Sequence, residues 1–389
     1  MSPLYTKLQE IGGVLACLSA SKLKNILQLS CCILKTRSCN LQKCRDELSS
    51  VTGEQDLKQD TAYARLKRVF QTGLIDPALK AIFLFILYLL HPREQALLVV
   101  DRTDFQIGGR FWANLLVFGL VWKGVFIPLV WRDLGQRGNS SQQDRIQLLD
   151  RLLAWWKASG LELPLFCLTA DREFTGQDWL MDLEQRGLEY VIRIKSNLRF
   201  QVWHNGQLKD HSMSLKTLAR YMMKYQRSKM EVILKGTIVT NVMLLPQEDP
   251  KDKEPFVLLI TNLEDQQLCQ SIFRQRWPIE CCFKHLKSNG FDLEDIHLEG
   301  EHKTELLFGM ITLVYVLAVY QGIINGYEQQ VKWKQYPKAK VYRQQSLFRF
   351  GLYQLKQIVR SLDQFVDFLY QVVMDISHKF ILINHGVQP

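Results

Sequence analysis

Up to about residue 76 the chain repeats apolar positions at helical spacing, as in "YTKLQEIGGVLACLSASKLKNILQLSCCILK", and predicts a helical region. Within it, "EQDLKQDTAYARLKRVFQTG" begins acidic and ends with Arg65, Lys67 and Arg68 beside Tyr63 and Phe70. A short basic helix of this kind can lie on DNA or simply face solvent. Asp76-Pro77 opens a further helix, "PALKAIFLFILYLL", which stops before His91-Pro92. From Gln95 the period changes. "ALLVV", Ala96 to Val100, is a continuous apolar run ending on Asp101, the pattern of a strand buried on both faces. "FWANLLVFGLVW" and "VFIPLVW" predict a hairpin that turns at Lys123-Gly124. A helix from about Ser141 to Gly160 follows, then a second buried strand, "LPLFCLTA", which ends on Asp171. A helix from Thr175 to Arg186 leads into the strand "LEYVIRIK". Residues Arg199 to Asn262 read as β throughout, with Asn205-Gly206 as a hairpin turn, and helices are expected from about Asp265 to the end.

Composition adds a charge bias to this α/β pattern. Lys and Arg outnumber Asp and Glu by 49 to 39, and the stretch from Val331 to Pro389, with nine basic and three acidic residues, carries +6 of the net +10. Such a balance suits nucleic acid or an anionic surface as partner, and equally suits plain solubility. The nine cysteines form no C-x-x-C pair, and Cys39 and Cys44 have no histidine following at ligand spacing. Reduced thiols in a cytoplasmic protein are therefore expected, not a disulfide framework or a zinc site. The N-terminus lacks the pattern of a signal peptide. Leu306 to Ile324 is long and apolar enough for a membrane span, but it contains Gln321 and stands alone, which favours a buried core helix and no membrane.

Three carboxylates carry the candidate chemistry. Asp101 and Asp171 each close an apolar strand; if those strands are parallel neighbours, both side chains emerge at one sheet edge, where open α/β sheets place ligands. Two aspartates side by side need protonation, an Arg or Lys partner, or a divalent metal. The third lies in "SIFRQRWPIECCFKHLKSNG". On a helix, Phe273, Arg276, Glu280 and Lys287 fall at about 0°, −60°, −20° and −40°, a single stripe that is a poor core face. It makes sense if Glu280 faces a metal while Arg276 and Lys287 hold phosphates. Pro278 limits a continuous helix, so the helix is expected to begin near Trp277, with Phe273 and Arg276 on a preceding turn.

With these residues together, the sequence resembles the cut-and-paste DDE transposases of bacterial insertion sequences. It is similar to the branch that has an RNase H-like core, a β insertion and the signature Tyr-x2-Arg-x3-Glu-x6-Lys. Phe273, Arg276, Glu280 and Lys287 match that spacing at every step, although Phe273 stands where the family has Tyr and so lacks a phenol hydroxyl for a phosphate. The family's two aspartates match Asp101 in "VVDRTDF" and Asp171 in "LTADREFTGQDW", and "YVIRIKSN" and "SLFRFGL" resemble further family stretches.

The resemblance implies an RNase H-like mixed-sheet core, residues 77–198 and 263–330, interrupted by a β insertion at 199–262. The helical regions 1–76 and 331–389 would bind terminal inverted repeats and join protomers, respectively. It implies two Mg²⁺ ions, replaceable by Mn²⁺, on Asp101, Asp171 and Glu280, and double-stranded DNA as partner of a homodimer in the paired-end complex. Asp104 and Glu173 are weaker candidates as ligands. Phe273, Arg276, Lys287, Arg65, Lys67 and Arg68 would contact DNA, and Trp203 could stack on a base. A decayed repressor-like protein and a nuclease without strand transfer are the competing readings.

Overall fold

The computed structural model describes residues 3–15, 18–70, 75–90, 96–108, 111–162, 165–201, 203–204, 207–208, 212–234, 238–247, 255–336 and 340–384. Helices α1 (Pro3–Leu15), α2 (Ala20–Thr36), α3 (Leu41–Thr52), α4 (Gln59–Lys67) and α5 (Ile75–Leu90) come first. The strands β1 (Ala96–Ile107), β2 (Phe111–Trp122) and β3 (Val125–Asp133) follow, then α6 (Gln142–Ser159), β4 (Leu165–Ala170), α7 (Gln177–Gln185) and β5 (Glu189–Arg193). Next are four two-residue strands, β6 (Arg199–Phe200), β7 (Trp203–His204), β8 (Gln207–Leu208) and β9 (Met213–Ser214), with helix α8 (Leu215–Lys224) and strands β10 (Lys229–Leu234), β11 (Ile238–Pro246) and β12 (Phe256–Thr261). The chain closes with α9 (Gln266–Arg274), α10 (Pro278–Lys284), α11 (Glu301–Ile324), α12 (Tyr327–Gln330), β13 (Trp333–Tyr336), β14 (Lys340–Arg343), α13 (Leu347–Ile358) and α14 (Leu362–Asn384).

These elements form two compact units. One comprises Pro92–Thr103 and Asn114–Cys282, the other Met1–His91, Asp104–Ala113 and Phe283–Pro389. The first is built on an eight-stranded mixed sheet of order β10-β11-β12-β5-β4-β1-β2-β3. β1, β4 and β5 run parallel, whereas β12, β11 and β10 add antiparallel strands beyond β5. This is the RNase H-like α/β arrangement expected from the sequence. The local signals account for its register: Lys123 and Gly124 both take positive φ, as a tight hairpin between twisted strands requires, and Trp122 pairs with Val125. Ser141 and Asp144 form a reciprocal capping box at the start of α6, and Gly160 ends that helix at φ 71°.

Three expectations are corrected. β1 does not end at Asp101 but continues to Ile107; what ends there is its pairing with β4, whose last partners are Val100 and Ala170. The segment 199–262 is not β throughout, because Ser214 caps α8, which buries Leu215, Leu218, Ala219 and Met222 and leaves its other face in solvent. The C-terminal region is not wholly helical: β13 and β14 pair as a hairpin between α12 and α13. The turn at Asn205-Gly206 lies outside the described residues, although the flanking Trp203 and Leu208 are paired.

In the second unit the apolar helix α11 is the core element. Among the described residues it is the one unbroken helix long and apolar enough to cross a membrane, and 83% of its apolar window is buried inside the protein. It packs against α2, α5 and α13. The "SLFRFGL" stretch explains part of this closeness. A Cβ on Gly351 would lie 1.7 Å from the carbonyl oxygen of Ala318, so α13 approaches α11 backbone to backbone, while Phe348 packs on Tyr315, Phe291 and His285.

Candidate active site

The parallel register places the two aspartates. Val100 and Ala170 are opposite each other on adjacent strands, so Asp101 and Asp171 follow at the same edge of the sheet, as the sequence pattern predicts. Asp101 is largely buried. Its Oδ1 accepts from the Arg102 backbone N–H at 2.8 Å, and its Oδ2 accepts from Arg276 Nη1 at 3.2 Å. Burial pushes the Asp101 carboxyl up to about 6; Arg276 and the Arg102 N–H pull it down, and Asp171 and Glu173 push it further up. Asp171 Oδ1 is buried and accepts no hydrogen bond; the nearest cation is Arg193 Nη1, at 4.0 Å.

The third carboxylate arrives by a different route. α9 stops at Arg274, a turn crosses residues 275–277, and Pro278 occupies the first position of α10, where its missing N–H costs nothing. Glu280 therefore lies in the first turn of α10. Phe273 belongs to α9, not to the turn, and Arg276 alone of the signature residues lies on the turn. From there Arg276 Nη2 donates to Glu280 Oε1 at 2.5 Å while Nη1 holds Asp101, and its guanidinium lies 5.8 Å from the Phe273 ring centroid. Arg276 is 12% exposed, with Nε buried and unbonded.

Of the three ways to tolerate adjacent carboxylates, an arginine partner is present, lying between Asp101 and Glu280. Among the described residues no three His, Cys, Asp or Glu side chains converge as a ready metal cluster. Arg276 supplies positive charge to two of the three carboxylates, Asp101 and Glu280. The donor set itself suits a hard divalent cation, being oxygen only and including a buried Asp171 oxygen with no hydrogen-bond donor.

Behind the aspartates is a polar network that the sequence reading did not assign. Arg102 donates Nε and Nη2 to the Glu173 carboxylate at 3.1–3.3 Å and Nη1 to Asn114 Oδ1 at 2.8 Å. Asn114 Nδ2 in turn donates to the carbonyls of Gln136 and Gly138. Arg145, pushed down to about 10 by burial, donates to the carbonyls of Ser140, Glu173 and Thr175 and so pins the loop after Asp171. Glu173 is thus engaged by Arg102. The available signal was that an arginine follows each aspartate, Arg102 after Asp101 and Arg172 after Asp171.

The remaining predicted residues lie elsewhere. In the helical unit, a π turn over His285–Asn289 continues α10, and Lys287 on it donates to the Asp104 carbonyl at 2.5 Å, with Glu294 at 3.9 Å and the Phe105 ring below it. Asp104 meets Lys287 through its backbone, and burial lowers the Lys287 pKa. Arg65 is bidentate on Glu54, Lys67 sits 5.3 Å from the Tyr63 ring, and Arg68 is exposed on the 3-10 turn after α4. Trp203 is placed by its backbone in β7; its side chain lies outside the described residues.

Residues 134–317, just under half of the chain, match the family model of the transposase DDE domain. The matched segment contains Asp171 and Glu280 and begins downstream of Asp101. No curated protein matches the chain. The family match supports a relationship to DDE transposases.

Proposed function

We propose that the protein is a DDE transposase of an insertion sequence, binding the terminal inverted repeats of its element and cutting and rejoining DNA strands there. The observation that carries this reading is that Asp101 and Asp171 directly follow Val100 and Ala170, the last paired residues of two adjacent parallel strands, with Glu280 tied to Asp101 through Arg276. Asp101, Asp171 and Glu280 would hold divalent cations, Mg²⁺ or Mn²⁺, which supply Lewis acidity and lower the pKa of attacking water. The protein's own contribution is positioning and charge. The parallel ladder up to Val100 and Ala170 fixes Asp101 and Asp171, and Arg276, which holds Asp101 and Glu280, would turn to phosphate oxygens when DNA arrives.

Water adds to phosphorus as the bond to the 3′-oxygen breaks, leaving a 3′-hydroxyl and a 5′-phosphate. That hydroxyl then attacks a second phosphodiester, losing its proton and displacing another 3′-oxygen, so the number of phosphodiester bonds is conserved. Two protomers would be needed to hold two element ends. The branch assignment rests on the Phe273, Arg276, Glu280 and Lys287 spacing, with Phe273 in place of Tyr.

The test is strand cleavage on DNA from both flanks of the reading frame, with Mg²⁺ and with chelator, using wild type and Glu280→Gln. Metal-dependent nicking at an inverted repeat followed by joining, lost in the variant with binding retained, supports the proposal. Nicking without joining would reduce the protein to a nuclease, and binding without nicking by wild type would make it a DNA-binding descendant.

A further inference from the structure

The segment between Ser212 and Met230 contains no acidic residue, yet it carries Lys216, Arg220, Lys224, Arg227 and Lys229. Lys229 is neutralised by Glu264. The other four are exposed on α8 and the turn that follows it. Lys216, Arg220 and Lys224 recur every four residues, a row of like charges with about 6 Å between successive positions along one helix face. Like charges at this spacing destabilise a helix by a few tenths of a kcal/mol per pair. Here no side chain of the segment offsets the repulsion.

Aromatic side chains are interleaved with the cations. Tyr221 and Tyr225 are 40% and 54% exposed and pack against each other, with ring centroids 4.6 Å apart and planes tilted by 48°. Lys224 lies 5.3 Å from the Tyr225 centroid and Arg227 5.9 Å from that of Tyr221. The ring faces thus hold two flexible cations in place and lower the entropy lost when they bind an anion. The phenol hydroxyls add donors suited to phosphate oxygens. The opposite face of α8, with Leu218 and Met222, is buried, so the helix presents this side outward.

We infer that the exposed face of α8, with Tyr225 and Arg227, is a DNA-backbone track that holds the duplex through its phosphates without reading sequence. The inference rests on the function proposed above and adds to it a DNA contact outside both the carboxylate site and the Phe273-to-Lys287 signature. Charge complementarity identifies the occupant: a row of cations with no internal counter-ion matches a polyanion of regular spacing, and the face offers no array of amide groups for base edges.

The experiment uses the full chain and two duplexes, one from the flank of its reading frame and one of random sequence. Affinity is measured against salt for wild type, for Lys216→Gln/Arg220→Gln/Lys224→Gln, and for Arg220→Lys as a charge-preserving control. The triple variant is expected to bind both duplexes more weakly by the same factor, with its log–log salt slope shallower by about 2 to 3 units. Arg220→Lys should keep the wild-type slope. Thermal unfolding of the triple variant should match wild type or lie slightly above it, because repulsion is relieved. A wild-type slope in the folded triple variant, or a loss confined to the flank duplex, overturns the track and leaves the proposed function standing. Wild type that binds neither duplex overturns the proposed function and the track together.

Discussion

The two aspartates and the glutamate of the candidate site are held by different physics. Asp101 and Asp171 inherit their positions from a hydrogen-bonded parallel ladder, with Arg102, Glu173, Asn114 and Arg145 bracing the loops behind it. Glu280 rides on a seven-residue helix between a turn and a π segment, and one arginine links it to Asp101. Strand-borne carboxylates are placed by backbone, and the helix-borne one is placed by a side chain. The first arrangement rests on many backbone hydrogen bonds and the second on one arginine, an adjustability that the proposed DNA substrate would use.

The largest effect that could break this comparison is catalytic. Asp171→Asn and Glu280→Gln should each lower single-turnover nicking on the order of 10³-fold while sparing DNA binding; a variant that still nicks removes its residue from the chemistry. Next is stability. Arg102→Ala leaves the half-buried Glu173 without its main partner and should cost about 2 to 3 kcal/mol in chemical denaturation. Glu280→Gln should cost about 1 kcal/mol, because Glu280 is 38% exposed, water can replace the guanidinium there, and Arg276 keeps Asp101. Equal losses would mean that the helix-borne half is as stiff as the sheet.

Between these two lies a pH effect. In the folded chain Asp101 is raised to about 6, above its usual value, so the folded state keeps a proton that the unfolded state releases between about pH 4 and 6. The associated stability is present below about pH 4 and lost as pH rises through 6. Without added divalent metal, Asp101→Asn should therefore melt higher than wild type at pH 8, by about 2 kcal/mol in stability, and show little gain at pH 4. An unchanged difference across that range would place Asp101 in a wetter setting than its burial indicates.

The same contrast separates what could be read from the sequence. The apolar runs before Asp101 and Asp171 were legible because burial on both faces leaves an uninterrupted pattern, and the first polar residue in β1 marks where its pairing with β4 stops, not where the strand stops. The Lys123-Gly124 turn and the Ser141 and Gly160 caps were legible because each rests on local backbone chemistry. The stripe through Phe273, Arg276, Glu280 and Lys287 was drawn on a straight helix, and the turn before Pro278 and the π turn after Lys284 change the angles on which it depends. The pairing of Arg102 with Glu173 joins residues 71 apart in sequence, and no periodicity encodes it. α8 was missed because its neighbours on both sides are strands, although Ser214 and the spacing of Leu215, Leu218 and Met222 carried a helical signal.

The position of Cys281, next to Glu280 on α10, has a practical consequence. Of the eight cysteines in the described residues it is exposed and the other seven are buried. Among these eight, a maleimide fluorophore or spin label should therefore attach there first. The label would report on the short helix carrying Glu280 as DNA and divalent cations are added, turning the adjustable half of the site into something that can be watched in real time.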